Sequence, residues 1–219
     1  MTYEEIIKDL KSHKNPKNIA GMARFGINPK NTLGIPIPYL RKLAKKIGKN
    51  HGLAIELWSS GYHEARILAA LIDEPEKITS NQLDIWVHDF DSWDVCDQVC
   101  MNLFDKSDFA IKMIPAWAKS NEEFVRRTPF SLIAALAFHK KDFKDSYFEK
   151  YFPLIIKYST DERNFVKKSV NWALRQIGKR NSNLKKEAVK TAEEIIKRYP
   201  GSKSAKWIAK DTIRELKLH

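Results

Sequence analysis

Glycine is scarce in this chain, and cysteine is scarcer still: 8 of the 219 residues are glycine and 2 are cysteine. No glycine-rich phosphate-binding loop is present, and no Gly-x-Ser-x-Gly elbow that would present a nucleophilic serine. Cys96 and Cys100 lie four residues apart on one predicted helix, a poor basis for a disulfide framework, and they indicate a reducing compartment. With His88 they would still lack a fourth ligand, so we predict two small buried side chains and no metal site.

Long apolar runs are also missing. No segment approaches the ~18 apolar residues that a membrane span requires. Residues 1–14 are charged and amphipathic and lack the apolar region of an export signal. We therefore expect a cytoplasmic, nucleoid-associated protein without membrane contact. Because 43% of the residues are hydrophobic and 30% are charged, the chain is expected to be globular, with one domain over residues 1–219.

Positive charge is concentrated towards the C-terminus. The whole chain has 39 Lys and Arg against 27 Asp and Glu, a formal charge of +12. Residues 163–219 hold 16 of the basic and 5 of the acidic residues, so they carry +11 and the preceding 162 residues only +1. A second basic cluster lies between residues 41 and 49. Such a charge suits a polyanion, most commonly a nucleic-acid backbone, although lysines that merely solvate helix faces are an alternative.

Apolar residues recur at the three- and four-residue spacing of an amphipathic helix in six segments: 4–10, 39–47, 64–72, 124–138, 165–177 and 204–216. Prolines and glycines separate most of these segments. No convincing alternating strand pattern is present. The sequence therefore predicts an all-α protein with about ten to fourteen helices.

A repeat of about 40 residues connects several of these helices. Phe-Val-Arg-Arg at 124–127 recurs as Phe-Val-Lys-Lys at 165–168, 205–209 resembles a third copy, and 65–71 an earlier, diverged one. Helix pairs with this period are typical of HEAT and armadillo repeats, which stack into a superhelix. We therefore predict a HEAT-like α-solenoid with a concave basic face. The residues expected along that face are Arg66, Arg126, Arg127, Lys167, Lys168 and Lys206.

One short segment of this basic chain is rich in acidic residues. Asp89, Asp91, Asp94 and Asp97 lie within nine positions. A helix that begins near residue 92 would place Asp94 in its first turn, where the helix dipole favours a carboxylate. Asp97 lies one turn deeper, without that explanation, and shares a helix face with Trp93. An aromatic ring beside an acid on a basic protein indicates chemistry on a cationic group.

Four groups of motifs follow one another along the chain: Met-Ala-Arg-Phe at 22–25 with Leu-Gly-Ile-Pro at 33–36, Trp-Asp-x-x-Asp at 93–97, Phe-Val-Arg-Arg at 124–127, and Phe-Val-Lys-Lys with Trp-Ala-Leu-Arg within 165–175. In this order they resemble the AlkD-type DNA alkylation repair proteins, bacterial DNA glycosylases built from HEAT-like repeats. The resemblance places the family's Trp-Asp-x-x-Asp residues on Trp93 and Asp97, its active-site arginine on Arg127 and its second active-site tryptophan on Trp172. Pro129 departs from the family pattern, and a proline there is expected to disturb the helix near Arg127.

The resemblance implies hydrolysis of the N-glycosidic bond of positively charged alkylated purines, such as 3-methyladenine and 7-methylguanine. A cationic base leaves as a neutral molecule, so one carboxylate that stabilises the oxocarbenium-like sugar suffices. Asp97 is the candidate for that role, while Trp93 and Trp172 would face the cationic nucleotide and Arg127 would bind a phosphate. The expected partner is double-stranded DNA with alkylated bases, bound by a monomer without a cofactor. The predicted DNA-binding residues are Arg66, Arg126, Lys167, Lys168, Arg175 and Lys206.

Two other functions fit the same sequence: a non-catalytic HEAT-repeat protein that binds damaged or branched DNA, and a helical scaffold that binds an acidic protein. Trp93 and Trp172 could pack the core, Asp97 could be a paired surface acid, and Arg127 could bridge two repeats. An acid among aromatics favours the enzyme, because a pure backbone binder gains nothing from a carboxylate near phosphate. The remaining tryptophans are expected to be packing residues: Trp58, Trp86, Trp117 and Trp207.

Overall fold

The computed structural model describes residues 1–217, in which helices are joined by loops and no strand is present. Fourteen α-helices and two short 3-10 helices lie within these residues, and none is long and apolar enough to cross a bilayer. The α-helices are α1 (Tyr3–Ser12), α2 (Pro16–Arg24), α3 (Ile37–Ile47), α4 (His51–Ser59), α5 (His63–Ile72), α6 (Ser80–His88), α7 (Trp93–Asn102), α8 (Asp108–Trp117), α9 (Glu123–His139), α10 (Asp145–Glu149), α11 (Phe152–Tyr158), α12 (Asn164–Gly178), α13 (Ser182–Arg198) and α14 (Lys203–Lys217).

Local sequence explains where many of these helices begin. Thr2 and Glu5 form a reciprocal capping box at the start of α1. Four further helices begin after a polar residue whose side chain accepts a first-turn N–H: Asn15, Asn50, Thr79 and Asn181. All six segments predicted from periodicity lie within single helices, so the all-α prediction is confirmed.

Residues Met1–Ala110 form one compact unit. Helix α5 packs against α3, α4 and α7, and its three alanines and Leu68 are fully buried. The rings of Trp58 and Trp86 stack nearby with their centroids 3.9 Å apart, and both side chains are buried. Their predicted packing role is confirmed. Cys96 and Cys100 are likewise fully buried on α7, as expected of small core side chains.

The second compact unit begins at Ile111 and contains the repeat. Helix α12 packs against both α9 and α14, and the rings of Phe124 and Phe165 stack with centroids 5.5 Å apart. A carboxylate from the preceding repeat binds the start of the next helix: Glu123 accepts the backbone N–H of Phe165, and Glu162 that of Ser204, each at 3.0 Å. These carboxylates satisfy N–H groups at the positive helix ends. The predicted repeat is confirmed, with Phe124, Phe165 and Ser204 in equivalent positions.

The sequence predicts packing roles for both Trp117 and Trp207 of this unit. Trp117 is buried as expected, but Trp207 is 40% exposed, so its predicted packing role is wrong. The reason is that Ala205, Ile208 and Ala209 already fill the buried side of α14. The predicted disturbance at Pro129 does not end the helix: α9 continues past this proline to His139.

Candidate functional site

The Trp-Asp-x-x-Asp motif forms the start of helix α7. Ser92 is the N-cap residue with an extended backbone, and Trp93 is the first helical residue. The Ser92 hydroxyl accepts a hydrogen bond from the backbone N–H of Asn28 at 2.9 Å, so it attaches the helix start to the loop before α3. Asp97 follows one turn after Trp93, and both residues are half-buried. The indole and the carboxylate therefore lie on the same side of α7.

Asp94 has a different environment from Asp97. It lies in the first turn of α7, as expected, and its Oδ2 is 2.9 Å from Nε2 of His63 on α5. Burial by itself lowers the pKa of His63, but the hydrogen bond and charge of Asp94, together with Glu64 and Asp91, outweigh it and raise that pKa. A largely buried ion pair thus holds the start of α7 against α5.

Trp93 is oriented by a contact that is distant in sequence. Its indole N–H donates to the backbone carbonyl of Phe25 at 3.1 Å. Phe25 is the C-cap residue of α2, and its side chain is 76% exposed. The backbone of Phe25 therefore lies beside the Trp93 indole. Phe25 belongs to the Met-Ala-Arg-Phe motif, but the motif predicts no role for it, because its exposure depends on tertiary contacts.

A buried carboxylate holds the loop between α2 and α3. Glu64 on α5 is fully buried and accepts the backbone N–H groups of Leu33, Gly34 and Ile35 at 2.8, 2.6 and 3.2 Å. Gly34 has a φ of 78°, and a Cβ there would lie 2.5 Å from the carbonyl oxygen of Asn15. Only glycine fits this position without strain. The Leu-Gly-Ile stretch therefore serves to position the loop that precedes α3.

The two arginines of the first tetrad connect neighbouring repeats. Arg127 is only 4% exposed, and its Nη1 donates to the carbonyl of Phe165 at 2.5 Å. Arg126 pairs with Asp161 at 2.9 Å and lies over the ring of Tyr158. Both guanidinium groups thus link α9 to the following repeat, which is the bridging role considered above for Arg127.

Two other arginines of the predicted DNA-binding set, Arg66 and Arg175, are also paired. Arg66 donates to the backbone carbonyl of Asp89 at 2.8 Å and lies 3.5 Å from its carboxylate. Arg175 pairs with Asp211 at 3.2 Å and with Glu215 at 3.6 Å. These contacts hold the helices together and neutralise part of the predicted positive face.

The lysines of the second unit have more accessible charges. Lys168 on α12 and Lys206 on α14 are exposed, and Lys167 is partly exposed with its Nζ 5.9 Å from the centre of the Trp207 ring. Trp172 lies one turn after Lys168 on α12 and is half-buried. Accessible lysines therefore lie within one turn of Trp172 on α12 and of Trp207 on α14.

Paired helices, carboxylates that bind the next helix start, and arginines that join successive repeats define a HEAT-like helical-repeat protein. The chain belongs to the family described as DNA alkylation repair enzyme, whose sequence model matches residues 6–214.

Comparison with a solved structure agrees with this fold. A member of a family related to the HEAT-like repeat DNA glycosylases, with affinity for branched DNA structures, superposes with a TM-score of 0.78. It is 20% identical, and the match covers 89% of this chain and 83% of that one. At this identity the likeness shows the fold alone.

Two curated relatives are the uncharacterized proteins Lin0241 of Listeria innocua and Lmo0209 of Listeria monocytogenes. Each is 26% identical over 130 residues. The match spans 58% of this chain and 58% of each relative, so these proteins support a shared ancestry over little more than half of their length.

Proposed function

We propose that this protein is a DNA glycosylase that removes positively charged alkylpurines from duplex DNA. The observation that carries the proposal is the placement of Trp93 and Asp97 one turn apart on α7, both half-buried. The hydrogen bond from the Trp93 indole to the carbonyl of Phe25 fixes the orientation of the ring. Membership of the DNA alkylation repair family supports the same function.

The proposed chemistry uses the charge of the lesion itself. When the N-glycosidic bond breaks, its electron pair moves to the cationic base, which leaves as a neutral molecule. Positive charge then develops on C1′ and the ring oxygen of the deoxyribose, and the Asp97 carboxylate stabilises it. Water adds to C1′ and loses a proton, which completes hydrolysis and leaves an abasic site. No strong general acid is required, since the leaving group carries no negative charge.

Aromatic rings are proposed to select the cationic nucleotide. Trp93 would present its π face to it, at about 0.5–2 kcal/mol. Trp172 on α12 remains a predicted site residue. Arg127 was predicted to bind a phosphate. Because it is buried and bound to a backbone carbonyl of α12, we instead assign it the positioning of that helix, which carries Trp172.

Phosphate binding is assigned to the accessible lysines of α12 and α14: Lys167, Lys168 and Lys206. The ion-paired arginines would have to release a carboxylate partner to bind phosphate, which offsets much of the gain. We therefore assign them to the connections between helices: Arg66, Arg126 and Arg175.

A single-turnover excision assay tests this proposal. The wild-type protein should release 7-methylguanine or 3-methyladenine from duplex DNA. It should not release uracil or hypoxanthine, because these neutral bases depart only with protonation or with a site that stabilises an anion. Efficient uracil release, or no release of either methylated base, would contradict the proposed reaction.

A second candidate function is the binding of branched DNA without catalysis. It is favoured by the solved structure of similar fold, whose family has affinity for branched DNA structures. A four-way junction and a linear duplex of equal length would be compared as competitors at one salt concentration. A strong preference for the junction, together with no excision of methylated bases, would replace the glycosylase proposal.

A further inference from the structure

Trp207 exposes an aromatic ring in a cluster of positive charge. The side chain is 40% exposed, although tryptophan is usually largely buried. Lys206 and Lys210 on the same helix are exposed, and the Nζ of Lys167 lies 5.9 Å from the centre of the Trp207 ring. The ring therefore lies where a polyanion would be attracted.

Packing of α14 does not require this ring. Ala205, Ile208, Ala209 and Leu216 are fully buried and form the apolar side of the helix. Because that side is already covered, α14 offers no continuous apolar face to a membrane or to a partner helix. A lone aromatic ring among cations instead matches the surfaces that bind single-stranded nucleic acid, where bases stack and phosphates are neutralised.

The repeat places Trp207 at a position that otherwise carries a cation. Arg127, Lys168 and Trp207 are equivalent when the repeats are aligned on Phe124, Phe165 and Ser204. The carboxylate contacts to the starts of α12 and α14 support this alignment. An aromatic ring therefore replaces a positive charge on α14, the last of the three equivalent repeat helices α9, α12 and α14.

We propose that Trp207 stacks on an unpaired DNA base at a gap, with the neighbouring lysines bound to the flanking phosphates. Inside an intact duplex both faces of a base are covered by its neighbours, so an indole stacks only where a base is already unpaired. The interaction is tolerant of sequence, because every base has a π face. This inference rests on the DNA binding of the proposed function and adds a preference for interrupted duplexes.

The test compares the affinity of the full chain for an intact duplex and for one of the same length with a short single-stranded gap, at fixed salt. The wild-type protein should bind the gapped duplex about tenfold more tightly. Trp207→Ala should lose this preference and bind the intact duplex as the wild-type protein does. Trp207→Phe should retain most of it. A 2-aminopurine placed in the gap should lose fluorescence on binding the wild-type protein and Trp207→Phe, but not on binding Trp207→Ala.

Phe138 provides a matched control, because its ring is 51% exposed on α9 and the Nζ of Lys141 lies 5.3 Å from its centre. Phe138→Ala should leave the gap preference unchanged.

Two outcomes would overturn the inference: a wild-type protein without gap preference, or a folded Trp207→Ala variant that binds both duplexes equally weakly. Excision of 7-methylguanine from intact duplex should be unchanged in Trp207→Ala. Gap preference without excision would count against the glycosylase and leave the stacking proposal standing.

Discussion

Asp94 and Asp97 lie three residues apart on α7, but they have different surroundings in the folded protein. Asp94 pairs with the largely buried His63, so its carboxylate stabilises the fold. Asp97 lies on the side of the helix that carries Trp93. The spacing predicted a helix-start role for Asp94 and not for Asp97, and the contact of Asp94 with α5 adds a tertiary reason for that difference.

Replacement of Asp97 by asparagine keeps the size of the side chain and removes its charge. If the carboxylate stabilises the oxocarbenium ion, the single-turnover rate of 7-methylguanine excision should fall by at least ~10²-fold. Affinity for DNA should stay the same or rise, since a negative charge near phosphate is lost. The rate and the affinity are measured on the same methylated duplex.

Asp84→Asn is the suitable control for this change. Asp84 is exposed on α6, whereas Asp94→Asn would also break the ion pair with His63. The control should excise at the wild-type rate. Equal rates for the wild-type protein and Asp97→Asn would remove the catalytic assignment and favour the non-catalytic DNA-binding function.

At the scale of elements, helix α7 depends on α5 for its position. The His63–Asp94 pair joins the starts of the two helices, and Glu64, the next residue of α5, holds the loop at Leu33 to Ile35. One helix thus anchors both the motif that carries Trp93 and the loop that follows α2. Substitutions at His63 or Glu64 should therefore affect the proposed site through the position of α7 and of the loop, and not through a contact with DNA.

The His63–Asp94 pair predicts a pH-dependent stability. The pKa of His63 is raised in the folded state, so its contribution is complete below the unfolded pKa of about 6.5 and is lost as pH rises through the folded pKa. In urea unfolding at a series of pH values, the free energy of unfolding should fall across the window just above pH ~6.5. His63→Gln should remove that fall and cost about 1–3 kcal/mol at the acidic end.

His88→Gln is the matched control, because His88 is exposed on α6 and pairs with Asp84 at the surface, where such a pair contributes little. This variant should keep the wild-type dependence of stability on pH. A dependence that is identical in His63→Gln and the wild-type protein would show that His63 does not carry it.

At the scale of the whole molecule, the net charge of +12 predicts strongly salt-dependent DNA binding. Changing Lys167 and Lys168 together to alanine should weaken binding to all duplexes similarly. It should also reduce the slope of log affinity against log salt by about 1–2, since each phosphate contact contributes about 0.9. Titration at several salt concentrations measures both effects.

Lys186 and Lys190 give a control of equal charge, because both are exposed on α13. Their double replacement by alanine should change the slope less than the change on α12. If the two pairs are equivalent, binding reflects overall charge and the assignment of phosphate contacts to α12 is wrong. Affinity that does not respond to salt would exclude a backbone-binding surface altogether.

Periodicity in the sequence sufficed to predict six of the fourteen α-helices and the repeat, because amphipathic spacing and capping residues act over a few neighbouring positions. It also placed Trp93 and Asp97 on one helix face, which follows from the number of residues per turn. The six predicted segments and the equivalent positions of Phe124 and Phe165 were therefore accessible without any tertiary contact.

Tertiary structure alone decided which of these residues are available to a ligand. The sequence predicts accessible positive charges at three arginines, yet each pairs with a carboxylate at least 23 positions away: Arg66, Arg126 and Arg175. Exposure of Phe25 and Trp207 was equally unpredictable, because it depends on which neighbouring side chains cover the helix. Amphipathic spacing determines the side of a helix that is buried, whereas charge pairing and exposure depend on contacts between distant parts of the chain.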